Sequence, residues 1–177
     1  MNPELKDIVK EELQKLLNAG FIYPISNSEW VSPLVLVQKK NGKWRICVNY
    51  RELNKATKKD HFPLPFVDQL LDGLAGKKFF SFLDGFSGYN QIQISPKDQD
   101  KTTFTCPWGT FAYRVLPFGL CKALATFQRE VLSIFSKLVY DAVEIYMDDF
   151  TPYGSDFREA LSTLGRVLDK CIETKKM

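Results

Sequence analysis

The sequence predicts an α+β fold built on an antiparallel sheet. Strand-like and helix-like segments alternate without the regular strand-helix-strand rhythm of a parallel sheet, and hairpins outnumber crossovers. Four segments carry apolar residues at helical spacing, enough to back such a sheet. At 177 residues, with 45% hydrophobic and 14% aromatic content, the chain can bury a substantial core, and disorder is not expected.

In chain order, Pro3 to Gly20 places Leu5, Ile8, Val9, Leu13, Leu16 and Leu17 at helical spacing, with proline near the start and glycine just past the end. It reads as an amphipathic helix. Val35-Leu36-Val37 and Arg45-Ile46-Cys47-Val48 flank Asn41-Gly42, whose tolerance of positive φ suits a tight hairpin turn. His61-Phe62-Pro63-Leu64-Pro65 is expected to be an extended loop, because each proline biases the residue before it away from helix. Val67 to Leu74 then makes a short helix, with Val67, Leu70, Leu71 and Leu74 in register.

Lys78-Phe79-Phe80-Ser81-Phe82-Leu83 is an aromatic-rich apolar run, expected as a buried strand that ends at Asp84, with Gly85, Ser87 and Gly88 breaking it. Thr102 to Thr105 and Thr110 to Leu116 read as two strands joined around Pro107-Trp108-Gly109. A helix is predicted over Ala123 to Leu138, carrying Phe127, Val131, Ile134, Phe135 and Leu138 on one face. Val143 to Met147 forms a strand, Asp148-Asp149 interrupts it, and Phe150 to Tyr153 runs away again: a hairpin with two carboxylates at its turn. Asp156 to Thr174 is a last amphipathic helix on Phe157, Leu161, Leu164, Leu168 and Ile172. There are no repeats, low-complexity tracts or linker-like stretches.

A net charge of +3 is too small to argue for nucleic-acid binding. Its distribution says more. Lys39, Lys40, Lys43, Arg45, Arg51, Lys55, Lys58 and Lys59 face only Glu52 in the same stretch, which makes the hairpin and its exit a candidate polyanion contact. A solvated lysine-rich hairpin has the same composition. Cys47, Cys106, Cys121 and Cys171 are widely spaced, and with His61 as the one histidine they argue against a zinc site and for reduced thiols in an intracellular protein. No signal peptide is evident and no apolar run approaches the roughly 18 residues of a membrane span.

The acidic pair needs a reason. Adjacent carboxylates repel, aspartate disfavours strands, and an isolated Asp-Asp is most simply a polar turn. Asp84 changes the weighing, because it also ends an apolar strand, and two strand ends can meet on one sheet edge. Three carboxylates converging there would form a hard oxygen site suited to Mg²⁺ with substrate phosphates. Phosphoryl or nucleotidyl transfer with two metals is the chemistry that uses such a site.

Four motifs occur in order along the chain: Trp44-Arg45 with Tyr50-Arg51-Glu52-Leu53-Asn54; Leu83-Asp84-Gly85-Phe86-Ser87-Gly88-Tyr89; Leu116-Pro117-Phe118-Gly119-Leu120; and Tyr146-Met147-Asp148-Asp149. From Pro24 to about Thr174 the chain resembles the fingers and palm of a reverse transcriptase, most closely that of gypsy-type LTR retrotransposons. The resemblance implies a right-hand polymerase with an antiparallel palm sheet backed by helices. The fingers would lie mainly in 1–75 with part of 100–115 and the palm mainly in 76–100 and 116–177, without thumb or RNase H.

It further implies that Asp84 and Asp148 would bind two Mg²⁺ ions, with Mn²⁺ possible in their place. Asp149 would complete the catalytic triad and the Gly85 carbonyl would add a metal ligand. Lys39 and Arg45 would contact the incoming triphosphate, Tyr89 would lie under the sugar and select dNTP over rNTP, and Phe118 and Gly119 would shape the nucleotide pocket. Tyr146 and Met147 would lie at the primer and template. The implied partners are an RNA or DNA template, a primer, dNTPs and the rest of a polyprotein with thumb, RNase H and integrase, in the cytoplasm or a virus-like particle and without a membrane.

The chain departs from the family pattern at Asn49, where aspartate is usual, and at Lys122 and Leu124, where asparagine and proline are usual. A catalytically inactive retroelement fragment, at most a nucleic-acid-binding module, is the competing reading. A palm-like nucleotide cyclase shares the carboxylates but leaves the fingers hairpin and the Leu-Pro-Phe-Gly motif unexplained.

Overall fold

The computed structural model describes residues 3–38, 40, 42, 44–85 and 88–174. It is α+β, in two compact units: residues 1–59 with 92–123, and residues 60–91 with 124–177.

The first unit holds α1 (Pro3–Asn18), β1 (Ile22–Pro24), β2 (Ser32–Gln38), β3 (Trp44–Val48), α2 (Arg51–Ala56), the single-turn α4 (Pro96–Gln99), β6 (Phe104–Cys106) and β7 (Gly109–Tyr113). Its sheet runs β1-β7-β6-β2-β3. α1 ends as its sequence suggests, the Gly20 and Phe21 N–H groups donating to the Leu17 and Leu16 carbonyls. Its apolar face buries Val9 and Leu13 against Ile22, Phe104, Phe111 and Tyr113. The expected hairpin pairs β2 with β3 from Leu34↔Val48 to Gln38↔Trp44, and Gly42 has φ +80°.

Two features of this unit differ from expectation. β2 and β6 pair in parallel, Ser32 opposite Phe104, in a sheet otherwise antiparallel. The stretch expected as a strand from Thr102 begins instead as a 3₁₀ turn, Asp100–Thr102, with β6 starting at Phe104. The Thr102 hydroxyl explains the delay, because it donates to the Gln99 carbonyl and accepts the Tyr113 N–H, holding a turn where a ladder would run.

Tyr50 anchors α2 to this region. Its ring is 2% exposed and its hydroxyl donates to the Thr102 carbonyl at 2.8 Å. Burial pushes the Tyr50 hydroxyl far above the ordinary tyrosine range and that of Tyr113 up to about 12. Tyr50→Phe leaves that carbonyl short of its donor, and a loss of about 1–2 kcal/mol is expected. Urea denaturation checks it; an unchanged midpoint would mean the bond contributes nothing.

The second unit holds α3 (Val67–Leu74), β4 (Phe79–Phe80), β5 (Leu83–Asp84), most of α5 (Ala123–Ile134), β8 (Val143–Tyr146), β9 (Asp149–Gly154) and α6 (Phe157–Thr174). β9 is the central strand, with β8 on one side and β4 and β5 on the other. Phe127, Val131, Phe135, Val143, Ile145, Phe150, Tyr153 and Val167 are buried here, and Phe135 meets Phe150 edge-on at 5.3 Å. α5 stops at Ile134 rather than Leu138; the Phe135 carbonyl then accepts from both Leu138 and Val139 as the helix unwinds into turns. Glu144 on β8 is 4% exposed, and burial raises its carboxyl pKa.

The run expected as one strand from Lys78 to Leu83 is interrupted. Phe79↔Gly154, Phe80↔Tyr153, Leu83↔Phe150 and Asp84↔Asp149 share one register, so β4 and β5 are two pieces of a single edge. The break lies opposite Pro152. Ser81 N–H donates to the Pro152 carbonyl at 2.9 Å, but proline has no N–H to return.

Nor is that run buried: Phe79 and Phe80 are about two-fifths exposed and Phe82 is 81% exposed. An edge has an open side, and apolar composition alone does not close it. α6 also turns around. Its buried residues are Ala160, Thr163 and Val167, while Phe157, Leu161, Leu168 and Ile172, expected as its inner face, are exposed. The backbone of α6 comes so close to Gly154 that only small side chains fit between helix and strand. Among the described residues no helix is long and apolar enough to cross a membrane.

Candidate active site

Backbone pairing brings the predicted acids together. β8 and β9 close at Tyr146↔Asp149, so the turn's central residues are Met147 and Asp148, and Asp149 is the first residue of β9 rather than part of the turn. Met147 has φ 58° and Asp148 is not among the positive-φ residues, the sign pattern of a II′ turn, which ordinarily takes glycine first. Asp149 lies directly opposite Asp84, and the Gly85 N–H donates to the Asp148 carbonyl at 2.7 Å. Residues 84–85 are thus zipped against 148–149.

Residues directly opposite in an antiparallel pair share a face, with Cβ atoms about 4.5–5.5 Å apart. Asp84 and Asp149 are exposed there and Asp148 is half-buried. Like charges so placed repel, and a cation beside them would relieve that repulsion. Among the described residues no three His, Cys, Asp or Glu side chains gather tightly enough to hold an ion by themselves. Mg²⁺ asks for less, because one or two carboxylates hold it and phosphate and water oxygens fill the remaining positions. The carboxylates fit as such a partial set, which phosphate and water oxygens would complete.

Around them the packing is close. A Cβ on Gly85 would stand 3.3 Å from the Asp148 carbonyl oxygen, so glycine permits the approach of the two segments; its own carbonyl accepts the Gly88 N–H at 3.3 Å. Tyr89, in a 3₁₀ turn over Gly88–Gln91, is 7% exposed and stacks on Phe127 with centroids 4.6 Å apart. Burial, and then the Asp148 charge, raise the pKa of its hydroxyl. A Cβ on Gly88 would fall 2.9 Å from the Phe127 ring, so that stack needs glycine beside it.

Sequence reasoning missed Gln128. It is fully buried, accepts the Met147 N–H on Oε1 at 3.1 Å and donates from Nε2 to the Ile145 carbonyl at 3.5 Å. Its signal was there: it stands seven residues before Phe135, which puts an amide on the apolar face of α5.

The other residues singled out by the sequence lie in the first unit. Arg45 pairs with Val37 on the exposed face of the β2–β3 hairpin, beside exposed Val35. Lys39 and Lys43 lie outside the described residues, as do Phe86 and Ser87; Lys40, Arg51, Lys55, Lys58 and Lys59 are exposed. Phe118 is exposed, and Gly119 has φ +98°, a conformation that favours glycine. Asn54 holds that turn with both ends of its amide, Nδ2 donating to the Gly119 carbonyl at 2.7 Å and Oδ1 accepting the Cys121 N–H at 2.8 Å. The Tyr50–Asn54 motif thus supports the Leu116–Leu120 motif, a role not readable from either alone.

The departures from the family pattern have local accounts. The Asn49 side-chain oxygen accepts the Arg51 N–H at 3.3 Å, a bond aspartate also makes, so the change removes a charge and keeps the turn. Lys122 is exposed and adds to the lysines that lower the Asp98 pKa, chiefly through the 2.6 Å bond from Lys101. Leu124 stands in the first turn of α5, where proline is tolerated but not required.

Comparison with known proteins bears on the family and the fold. The family model described as reverse transcriptase (RNA-dependent DNA polymerase) matches residues 37–177. The Pol polyprotein of Drosophila melanogaster transposon 412 is 37% identical over 171 residues, 93% of this chain and 14% of that polyprotein. That of transposon gypsy, from the same fly, is 33% identical over 95% of the chain and 17% of its own length. The enzymatic polyprotein of cauliflower mosaic virus (strain Strasbourg) is 34% identical over 96% of the chain and 25% of its length. The chain therefore spans a quarter or less of each of these relatives. Among solved structures, prototype foamy virus protease-reverse transcriptase superposes with a TM-score of 0.87 at 25% identity, over 98% of this chain and 23% of that one.

Proposed function

The chain belongs to the reverse transcriptase (RNA-dependent DNA polymerase) family, and we propose that it is the fingers and palm of a retrotransposon polymerase, adding dNTPs to a primer 3′-hydroxyl on an RNA or DNA template. The observation that carries this reading is the zipped pair of segments, Asp84 opposite Asp149 and Gly85 bonded to the Asp148 carbonyl, which sets three carboxylates on adjoining backbone. The fingers fall mainly in the first unit and the palm mainly in the second. As a segment of a polyprotein, the chain works beside thumb, RNase H and integrase segments, in the cytoplasm or a virus-like particle.

The roles follow the chemistry. Asp84 and Asp148 hold two Mg²⁺ ions, or Mn²⁺, with help from Asp149 and the Gly85 carbonyl. When bound, the ions supply charge neutralisation on the triphosphate and a lower pKa for the attacking hydroxyl. Arg45 and Lys39 bind the triphosphate, Arg45 as a fixed cation on the exposed hairpin face. Phe118 and Gly119 shape the nucleotide pocket, and Tyr146 and Met147 meet the primer and template.

Tyr89 selects the sugar. Its ring is immobilised by Phe127, and a wall fixed in that way rejects an added hydroxyl by overlap. Tyr89→Ala is expected to reduce discrimination against rNTPs by about ten- to a hundredfold, the range an overpacked contact spans. Single-nucleotide kinetics with dNTP and rNTP check it, and an unchanged ratio would remove Tyr89 from this role.

The reading as a whole is tested by extending a DNA primer on an RNA template with this chain, dNTPs and Mg²⁺. Extension that EDTA stops is expected. Absence of extension overturns the enzyme reading. In that case salt-dependent affinity for the template and primer would leave a nucleic-acid-binding module whose contact includes the exposed cations Lys40, Arg45, Arg51, Lys55, Lys58 and Lys59.

A further inference from the structure

We propose that Gln128 is the positioning residue of the acidic hairpin, its buried amide holding Met147 in the left-handed conformation that sets where Asp148 and Asp149 stand. The functional consequence rests on the polymerase reading above; the structural part stands without it. Met147 has φ 58°, a region that side chains other than glycine, asparagine and aspartate rarely occupy, and methionine brings no local hydrogen bond of its own to favour it. Something outside the turn has to hold it. The Met147 N–H is accepted by Gln128 Oε1 at 3.1 Å, while Nε2 donates to the Ile145 carbonyl at 3.5 Å.

The amide thus bridges the residues on either side of Tyr146 and substitutes for a neighbouring strand. It is itself held rigid: Gln128 is 0% exposed, on a helix whose Ala125, Phe127 and Val131 are buried and which runs directly into buried Phe135. Removing it leaves a main-chain N–H and a main-chain carbonyl in the interior without that partner, and the turn regains its hydrogen bonds only by rotating Met147. Asp148 follows Met147 directly, and its carbonyl is the acceptor for Gly85, so rotation there shifts Asp148 relative to Asp84.

The test compares Gln128→Leu, Gln128→Glu and the double variant Gln128→Leu with Met147→Gly, all in the full chain. Amide hydrogen exchange at residue 147 is read first. Gln128→Leu is expected to speed it about tenfold relative to amides elsewhere in the second unit, the effect of losing one hydrogen bond. Gln128→Glu keeps an acceptor and is expected to retain slow exchange. Mn²⁺ alone is the second probe. Its affinity should fall about tenfold in Gln128→Leu and recover in the double variant, because glycine adopts the left-handed turn without a brace.

Unchanged exchange at Met147 in a folded Gln128→Leu chain overturns the proposal, and faster exchange with unchanged Mn²⁺ affinity overturns its functional half. If Gln128→Leu does not fold, Gln128→Met, of similar length and without the amide, serves for the same readings. A wild-type chain that binds no Mn²⁺ and extends no primer would sink the polymerase reading, while the exchange comparison would still decide whether Gln128 braces the turn.

Discussion

Asp148→Asn is expected to lower Mg²⁺-dependent primer extension by at least about a thousandfold, because a metal-holding carboxylate supplies several kcal/mol of transition-state stabilisation and each 1.36 kcal/mol is tenfold in rate. The substitution is nearly isosteric. The tie between Asp148 and Gly85 is main chain, carbonyl to N–H at 2.7 Å, and survives a change of side chain. Asparagine also suits the turn. Loss of activity with an unchanged melting temperature therefore points to the carboxylate charge and not to the hairpin. Asp84→Asn should behave alike, since Asp84 stands opposite Asp149 on the same edge. Extension that proceeds undiminished in Asp148→Asn would remove this carboxylate from the reaction.

Gly154→Ala is expected to destabilise the chain by about 3 kcal/mol, the upper part of the usual cost of overpacking. A Cβ there would overlap the Ala160 backbone nitrogen and stand 2.8 Å from its Cα. Backbone inside a helix cannot rotate aside as a side-chain tip can. α6 would have to lift from β9, opening the contact that buries Ala160, Thr163 and Val167. For a chain of this length such a loss lowers the melting temperature by roughly 6–12 °C.

A control of opposite sign lies on the same helix. A Cβ on Gly165 meets nothing within 4 Å, and alanine there should raise stability by about 0.5–1 kcal/mol through helix propensity. Calorimetry of the two variants checks both signs. A drop at Gly165 as large as that at Gly154 would show that helix composition, and not close approach, governs this face.

The hairpin of β2 and β3, α1 and the acidic β8–β9 hairpin were legible because their signals are local. Period, turn residue and capping glycine act within a few positions of each other. The split between β4 and β5 was not legible from its own residues. Its cause is Pro152, about seventy positions away in the chain and adjacent only once β9 pairs with that edge. Much the same holds for α6: periodicity marked Phe157, Leu161, Leu168 and Ile172 as one face, but which face turns inward depended on how closely Gly154 approaches.

The sequence by itself determined the class of fold and the order of the motifs, since residue type and spacing suffice for each, and it singled out Asp84, Asp148 and Asp149 as the acids to examine. Only the tertiary structure decided that Asp149 pairs with Asp84 while Asp148 sits in the turn, that Met147 has a positive φ, that the Gln128 amide bonds the Met147 N–H in the second unit, and that Asn54 bonds the Gly119 turn in the first. Those facts depend on register and on side chains reaching across the chain. A hydrogen bond between residues nineteen or sixty-five positions apart leaves no periodic trace in either segment, and exists only after the backbone has brought them together.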